Sequence, residues 1–201
     1  MERQAAQLLA ALPPPMSLFS SDKLKGKRVA IVATDGFEQL ELTEPQKFLK
    51  NEGADVDVIS LKSGSIKGWD KTDWGDNVDV DKVIDDVQVA QYDALVLPGG
   101  QINPDKLRME PSVVNFVREF MNSGKVVAAI CHGPWTLIEA DTVRGKHMTS
   151  WPSLKTDLRN AGAEWQDSEV VVDGNLITSR KPEDLSAFNQ KIEDKLLEAS
   201  A

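Results

Sequence analysis

The chain has 201 residues, of which 41% are hydrophobic and 27% charged, and its formal net charge is −9. This length and composition are typical of one globular domain, while the negative charge argues against nucleic acid or an anionic membrane as the default partner. The single cysteine excludes an intrachain disulfide framework and a cysteine-rich zinc site, and suits a reducing, cytoplasmic compartment.

The first 25 residues differ from the rest of the chain. They hold a short apolar patch, three consecutive prolines (Pro13, Pro14 and Pro15) and a second methionine, Met16. A signal peptide has a longer apolar core and a more basic start. We therefore expect a weakly ordered extension over residues 1–25 and a single domain over residues 26–201.

From there on the pattern alternates between strands and helices, which predicts a mostly parallel sheet with helices on both faces. The predicted strands are 27–33, 55–61, 92–97, 126–130 and a short one over 146–148. The predicted helices are 38–51, 111–122, 135–140, 153–160 and 184–197. Two hairpins interrupt this alternation, over 63–80 and 169–179. The first hairpin carries Trp69 and Trp74, which either pack as anchors or serve an oligomer contact.

The stretch Val126–Trp135 predicts a nucleophile elbow. Five apolar residues typical of a buried strand run straight into Cys131, and Pro134 then opens a helix. Ala129 and Gly133 supply the small residues that a sharp strand-to-helix turn requires. A thiol at a helix N-terminus faces unpaired N–H groups that favour the thiolate, so we expect a reactive cysteine. The alternative is a cysteine that serves as a small buried apolar residue.

Three further features fit chemistry at this elbow. Gly99 and Gly100 follow a predicted parallel strand, where their N–H groups, with that of His132, can bind a developing oxyanion; the alternative is a plain tight turn. His132 is expected to act as a general base towards Cys131 or, as a cation, to stabilise the thiolate. His147 lies in a polar turn and is predicted to be a surface residue.

Glu38 is the carboxylate of most interest. A partly buried glutamate beside Cys131 would have a raised pKa and would donate a hydrogen bond to the sulfur. The alternative is a helix-capping role in the first turn, shared with Glu41 and Glu44, and the spacing alone favours that alternative.

The sequence also resembles the PfpI family of intracellular cysteine proteases and general stress proteins. The resemblance runs from about Lys27 to the C-terminus. The motifs that carry it are D-G-F-E-Q-L-E at 35–41, A-L-V-L-P-G-G at 94–100, A-I-C-H-G-P-W at 129–135, N-A-G-A-E-W at 160–165 and V-V-V-D-G-N-L-I-T-S-R-K-P-E-D-L at 170–185.

This resemblance implies a flavodoxin-like three-layer sandwich related to class I glutamine amidotransferase domains. It also implies that Glu38 is hydrogen-bonded to the sulfur of Cys131. The oxyanion hole would combine the N–H of Gly99 or Gly100 with that of His132.

The resemblance further implies a catalytic acid from a neighbouring subunit, which is carried over to Asp105 although one residue is inserted before it. A homodimer, or a higher homo-oligomer, would then be the competent unit. Trp135 and Trp151 depart from the archaeal protease type, which has glutamine and tyrosine there. Both indoles are expected to line the pocket and to disfavour large peptides.

The leading hypothesis is therefore a cytoplasmic, cofactor-independent cysteine enzyme of stress defence. Cys131 would attack the carbonyl of a peptide or of a small α-oxoaldehyde or glycation adduct. The sequence calls for no metal, no nucleic acid and no membrane. The alternative is a redox-sensing or chaperone-like protein whose Cys131 is oxidised to a sulfenate or sulfinate.

Overall fold

The computed structural model describes residues 21–199 of the chain. The strands in this part are β1 (Arg28–Val32), β2 (Phe37–Glu38), β3 (Asp55–Ser60), β4 (Gly64–Asp70), β5 (Asp73–Val80), β6 (Lys82–Val83), β7 (Ala94–Leu97), β8 (Val126–Ile130), β9 (His147–Met148), β10 (Glu164–Trp165), β11 (Val170–Asp173) and β12 (Leu176–Ser179). The α-helices are α1 (Gln39–Asn51), α2 (Ile102–Leu107), α3 (Pro111–Asn122), α4 (Pro134–Glu139), α5 (Lys155–Asn160) and α6 (Leu185–Glu198).

The central sheet has seven strands in the order β11-β12-β8-β7-β1-β3-β6. Neighbouring strands are parallel except at one edge, where β11 runs antiparallel to β12. The chain leaves β1 towards β3 on one side and returns to β7 on the other. Open α/β sheets bind ligands at the carboxyl ends of strands near such a reversal. The loops that follow β1, β7 and β8 are therefore the expected place for a site.

Helices cover both faces of this sheet, which gives a three-layer sandwich. The core under α1 and α6 contains Leu42 and Phe188, and the core under α3, α4 and α5 contains Val117. β8 is buried on both sides: Val127 faces one core and Ala128 the other. A strand buried on both faces is apolar throughout, which explains the continuous apolar run before the elbow.

The first hairpin belongs to a separate small sheet, β2-β4-β5, which packs over the start of α1. The Gln39 side chain holds it there, since its Oε1 accepts from the Asp76 N–H at 2.6 Å and its Nε2 donates to the Asp76 carboxylate at 3.2 Å. Asp35 adds a bond from the Lys67 N–H at 2.8 Å. The hairpin is thereby fixed beside the loop that follows β1.

The expected α/β architecture is confirmed, but two local expectations differ from the structure. Residues 21–25 belong to the fold and not to a weakly ordered extension, since Leu24 is fully buried in the core and the Ser21 N–H donates to the Asn51 carbonyl. Residues 1–20, the rest of the predicted extension, lie outside the described part of the chain. The short helix α2 was not predicted, since six residues leave little periodicity to detect. No helix within residues 21–199 is long and apolar enough to cross a membrane.

Candidate active site

Cys131 occupies the strained corner between β8 and α4. Its φ of 62° lies in the left-handed region, which is uncommon for a residue with a Cβ and is typical of a nucleophile elbow. A Cβ at Gly133 would lie 2.5 Å from the Leu97 carbonyl oxygen, so glycine is required there. Backbone bonds from the Cys131 N–H to Ser179 at 3.1 Å and from the Trp151 N–H to Cys131 at 3.0 Å hold the corner in place. The predicted elbow is therefore present.

His132 lies against the sulfur. Its Nδ1 is 3.2 Å from Cys131 Sγ, and its Nε2 is 3.5 Å from Ser153 Oγ. The imidazole is 4% exposed, and burial lowers its pKa from 6.5 to about 4. The ring is therefore neutral at pH 7, which suits a base and not a cation that stabilises a thiolate.

Glu41, and not Glu38, contacts the thiol. The Glu41 side chain is fully buried and accepts from the Gly99 N–H at 2.8 Å, its second oxygen has no hydrogen-bond partner within residues 21–199, and its charge raises the pKa of the neighbouring Cys131 thiol. Burial, and then the charge of Glu38, raises the pKa of Glu41 to about 8. The carboxyl group is therefore protonated at neutral pH and can donate to sulfur.

Glu38 has the capping role that the spacing favoured. It is the N-cap of α1, and its carboxylate accepts from the Gln39 N–H at 2.9 Å. The side chain is half-buried, burial raises its pKa, and it lines the cavity above the elbow. The expected bond from Glu38 to Cys131 is wrong because the carboxyl group three residues later, one helical turn further, occupies that position.

The thiol itself does not have the low pKa that the helix N-terminus predicted. Burial first, and then the charge of Glu41, raises the pKa of Cys131, while the N–H groups of Gly100 and His132 lower it. The helix α4 has only six residues, and Cys131 is 6% exposed. Desolvation opposes the thiolate here, so the thiol needs a base when it reacts.

Two of the three expected oxyanion donors are directed at the sulfur, where a substrate carbonyl would bind. The Gly99 N–H is engaged by Glu41, whereas the N–H groups of Gly100 and His132 point towards the sulfur. Gly100 has a φ of 81°, and a Cβ there would lie 2.5 Å from the Gly36 carbonyl oxygen. The close approach of these two loops therefore requires glycine at this position.

Asn103, which the sequence analysis missed, holds the turn that carries these glycines. It is fully buried, accepts from the Thr34 N–H at 2.8 Å and donates to the carbonyls of Pro98 and Gly99 at 3.0 and 3.1 Å. Its side chain thereby links the loops after β1 and β7. Only the fold brings those loops together, so no local pattern marks this residue.

Both indoles lie beside His132, but only one lines the cavity. The Trp151 ring stacks on the imidazole with a centroid distance of 6.3 Å, and the Trp135 ring meets it edge-on at 5.0 Å. Trp151 lines the cavity, whereas Trp135 packs behind His132, with its Nε1 donating to Asp157 at 3.0 Å. The second indole at the cavity is Trp69, from the hairpin.

The cavity above Cys131 has a volume of about 590 Å³. Its wall combines Trp69 and Lys71 of the hairpin with Lys181 and Glu183 of the loop before α6. Asp105 does not line it and is exposed on α2, so its contribution to a second subunit stays a prediction. His147 is exposed, as expected. Nowhere in residues 21–199 are three or more His, Cys, Asp or Glu side chains grouped to hold a metal ion.

The fold is a mostly parallel α/β sheet, and the site is a cysteine at a nucleophile elbow beside a buried glutamate. These features define the class of α/β proteins that have an elbow cysteine. The model of the DJ-1/PfpI family matches residues 27–195. The chain therefore belongs to the DJ-1/PfpI family.

Comparison with individual proteins agrees with this assignment. The chain is 46% identical over 166 residues to Protein/nucleic acid deglycase 2 of Escherichia coli. This alignment covers 82% of this chain and 95% of that protein. It is 44% identical over 168 residues to General stress protein 18 of Bacillus subtilis, covering 83% and 95% of the two chains. The crystal structure of Drosophila melanogaster DJ-1beta superposes with a TM-score of 0.78 at 31% identity, covering 85% and 90%.

Proposed function

We propose that this protein is a cysteine enzyme of stress defence that acts on small α-oxoaldehydes or on the adducts they form with amines and thiols. The observation that carries the proposal is the contact of His132 Nδ1 with Cys131 Sγ at 3.2 Å, at the floor of a cavity of about 590 Å³. The names deglycase and general stress protein among its relatives support a hydrolase or deglycase activity in general.

The first step follows from the protonation states at the elbow. The thiol proton passes to His132 Nδ1 as sulfur forms a bond to the aldehyde carbon, and the carbonyl π pair moves to oxygen. The N–H groups of Gly100 and His132 stabilise the oxyanion, which then takes the proton back from the imidazolium. The product is a hemithioacetal on Cys131. Glu41, protonated, donates to sulfur and so offsets the negative charge that develops there.

The second step needs no external oxidant. A proton moves from the hemithioacetal carbon to the adjacent carbonyl carbon through an enediol, for which Glu38 at the cavity wall is the available base. The first carbon is thereby oxidised by two electrons and the second reduced by two. The resulting thioester of a 2-hydroxy acid is hydrolysed by water, which releases the acid and returns the thiol.

The shape of the cavity favours small substrates over peptides. Trp151 and Trp69 both line its wall, and the hairpin that carries Trp69 is fixed to α1 by Gln39. A peptide needs an open groove on both sides of the scissile bond, and Trp69 and Lys71 of the hairpin take up part of the cavity wall. We therefore place small dicarbonyl compounds ahead of polypeptides.

The redox-sensor alternative receives less support from the site. A sensor cysteine is accessible and has a low pKa, whereas Cys131 is 6% exposed and burial raises the pKa of its thiol. Intact mass after mild peroxide tests this point. A stable gain of two oxygens, at a rate well above that of a free thiol, would favour the sensor.

The test of the proposed function is turnover of methylglyoxal, followed by loss of the dicarbonyl and formation of lactate. Cys131→Ala is expected to lose all activity above background. His132→Gln is expected to lose at least about 100-fold in kcat, the usual scale for a general base. His147→Gln, at the exposed histidine, is the matched control. Turnover that survives Cys131→Ala would refute the covalent mechanism, and faster cleavage of a fluorogenic peptide would refute the substrate class.

A further inference from the structure

The two ring nitrogens of His132 face different partners. Nδ1 lies 3.2 Å from Cys131 Sγ, and Nε2 lies 3.5 Å from the hydroxyl of Ser153. In a neutral imidazole one nitrogen carries the proton and the other accepts one. Nδ1 can take the thiol proton only when the ring proton is on Nε2. Whatever binds Nε2 therefore decides whether His132 can act as a base.

We propose that Ser153 is a positioning residue for this reaction: its hydroxyl oxygen accepts from the Nε2–H of His132 and holds the ring in the tautomer that leaves Nδ1 free for the thiol proton. The proposal refines the proposed function, since it concerns the base that the first step uses. It gives the chain an orienting group for His132 within one subunit.

The backbone around Ser153 is built to keep the hydroxyl opposite the ring. Ser153 lies in the 3₁₀ turn Pro152–Leu154, in which the proline fixes one backbone angle and Leu154 is fully buried. The preceding residue, Trp151, is tied to the elbow through its N–H bond to the Cys131 carbonyl and stacks on His132. The turn is therefore joined directly to the catalytic corner.

A neutral acceptor suits a ring that is buried between indoles. Burial is what lowers the pKa of His132, and no carboxylate in residues 21–199 hydrogen-bonds to its ring. A hydroxyl group orients the imidazole without adding charge, so the ring stays uncharged until it receives the thiol proton. The distance of 3.5 Å is long for a hydrogen bond, but such bonds shorten when substrate closes the site.

The competing arrangement places Asp105 of a second subunit at Nε2. That carboxylate would be the third member of a triad and would stabilise the imidazolium directly. In the first arrangement Ser153 controls the tautomer of His132, so Ser153→Ala should change it. In the second arrangement Asp105 of a second subunit controls it, so Asp105→Asn should change it.

The experiment is a two-dimensional ¹⁵N spectrum of the imidazole rings at pH 7 without substrate. The chain has only two histidines, so His147 provides an internal reference. The wild type is expected to show His132 with the proton on Nε2. Ser153→Ala is expected to move the ring towards a mixture of both tautomers, and Ser153→Thr, which keeps the hydroxyl, is expected to restore it. Ser65→Ala, an exposed serine on β4, is the matched control.

Kinetics provide the second measurement. Loss of one neutral hydrogen bond to the base corresponds to about a three- to tenfold lower rate. Ser153→Ala should show this decrease in kcat for methylglyoxal and in the rate of Cys131 alkylation by iodoacetamide, with KM unchanged. Ser153→Thr should recover both rates.

Three outcomes would overturn the proposal. The first is an unchanged tautomer in Ser153→Ala, and the second is a change that Ser153→Thr does not reverse. The third outcome has two parts. The tautomer of His132 changes in Asp105→Asn, and activity returns when Asp105→Asn subunits are mixed with Cys131→Ala subunits. The spectrum requires no turnover, so a failure of the methylglyoxal assay would refute the proposed function and leave this test valid.

Discussion

Two buried ionisable side chains, Glu41 and His132, lie near the sulfur of Cys131, and their pKa values move in opposite directions. Burial raises the pKa of Glu41 to about 8 and lowers that of His132 to about 4. Between these values the carboxyl group keeps its proton and the imidazole has none. The site therefore rests with a neutral acid, a neutral base and a thiol, which is the starting state that the proposed first step requires.

This arrangement predicts a bell-shaped pH dependence of kcat/KM for methylglyoxal, with limbs near pH 4 and pH 8. Below the lower limb His132 is protonated and cannot accept the thiol proton. Above the upper limb Glu41 is ionised, and its charge opposes the negative charge that develops on sulfur and oxygen. Glu41→Gln keeps a hydrogen-bond donor but cannot ionise, so its profile should lose the alkaline limb.

Glu38→Gln is the matched control for that prediction. Glu38 raises the pKa of Glu41 through its charge, so this variant should keep the alkaline limb and move it to lower pH. The rate of Glu38→Gln at its pH optimum reports the separate role of Glu38 as the base of the second step. If the limb disappears in Glu38→Gln and persists in Glu41→Gln, Glu38 is the partner of Cys131 after all.

At the scale of elements, the hairpin β4–β5 decides the width of the cavity. Trp69 and Lys71 line the cavity, and Trp74 packs edge-on against Trp69 with a centroid distance of 5.5 Å. The hairpin is joined to the start of α1 by the pairing of β2 with β4, in which Glu38 lies opposite Trp69, and by the two hydrogen bonds of Gln39 with Asp76. Gln39 is the one side chain of α1 that hydrogen-bonds to the hairpin among the described residues, so it helps to couple the start of α1, where Glu38 and Glu41 lie, to the wall that substrate meets.

Gln39→Ala is expected to raise KM several-fold while leaving the alkylation rate of Cys131 within about twofold, because the variant loosens the wall without touching the elbow. Gly75→Ala provides an independent route to the same result, since a Cβ there would lie 1.8 Å from the Gln39 amide oxygen and would displace it. Ser65→Ala, on the same hairpin, is the control. A loss of kcat with unchanged KM would contradict this role of the hairpin.

For the molecule as a whole, the parts that were predictable depend on neighbours in the chain. The elbow is a local pattern, in which five apolar residues, Cys131 and Gly133 define strand, corner and helix within ten positions. The choice between Glu38 and Glu41 depends on how α1 meets the Gly99 turn, and both carboxyl groups fit the first turn of a helix equally well. Asn103 and the hairpin wall depend on contacts between distant loops. The site was thus predictable only where the residues that form it are close together in the sequence.

Contacts within one chain do not determine how copies of the chain assemble, so the homodimer stays a prediction. Light scattering is expected to give twice the 22.1 kDa of one chain. Among the described residues, Met109 and Trp74 are apolar side chains with exposed fractions of 77% and 46%, which makes them candidates for the interface. A mass of 22.1 kDa at every concentration tested would refute the dimer and, with it, any role for Asp105 in a second subunit.

The buried carboxyl group also links the stability of the whole fold to pH. The folded state holds the Glu41 proton up to about pH 8, whereas an ordinary glutamate releases it near pH 4.5. Because the pKa is raised on folding, this contribution to stability is fully present below pH 4.5 and is lost as pH rises to 8. The slope is at most about 1.4 kcal/mol per pH unit for one proton.

Glu41→Gln removes this titration, so its free energy of unfolding relative to the wild type should rise steadily between pH 4.5 and 8 and then level off. Urea unfolding at unit intervals of pH measures the difference. Glu44→Gln makes the same chemical change at an exposed position of α1 and is the matched control. Equal pH dependence in both variants would mean that the effect comes from net charge. A difference confined to Glu41→Gln would instead show that the carboxyl group beside Cys131 is kept neutral at a cost in stability that grows between pH 4.5 and 8, as the proposed reaction requires.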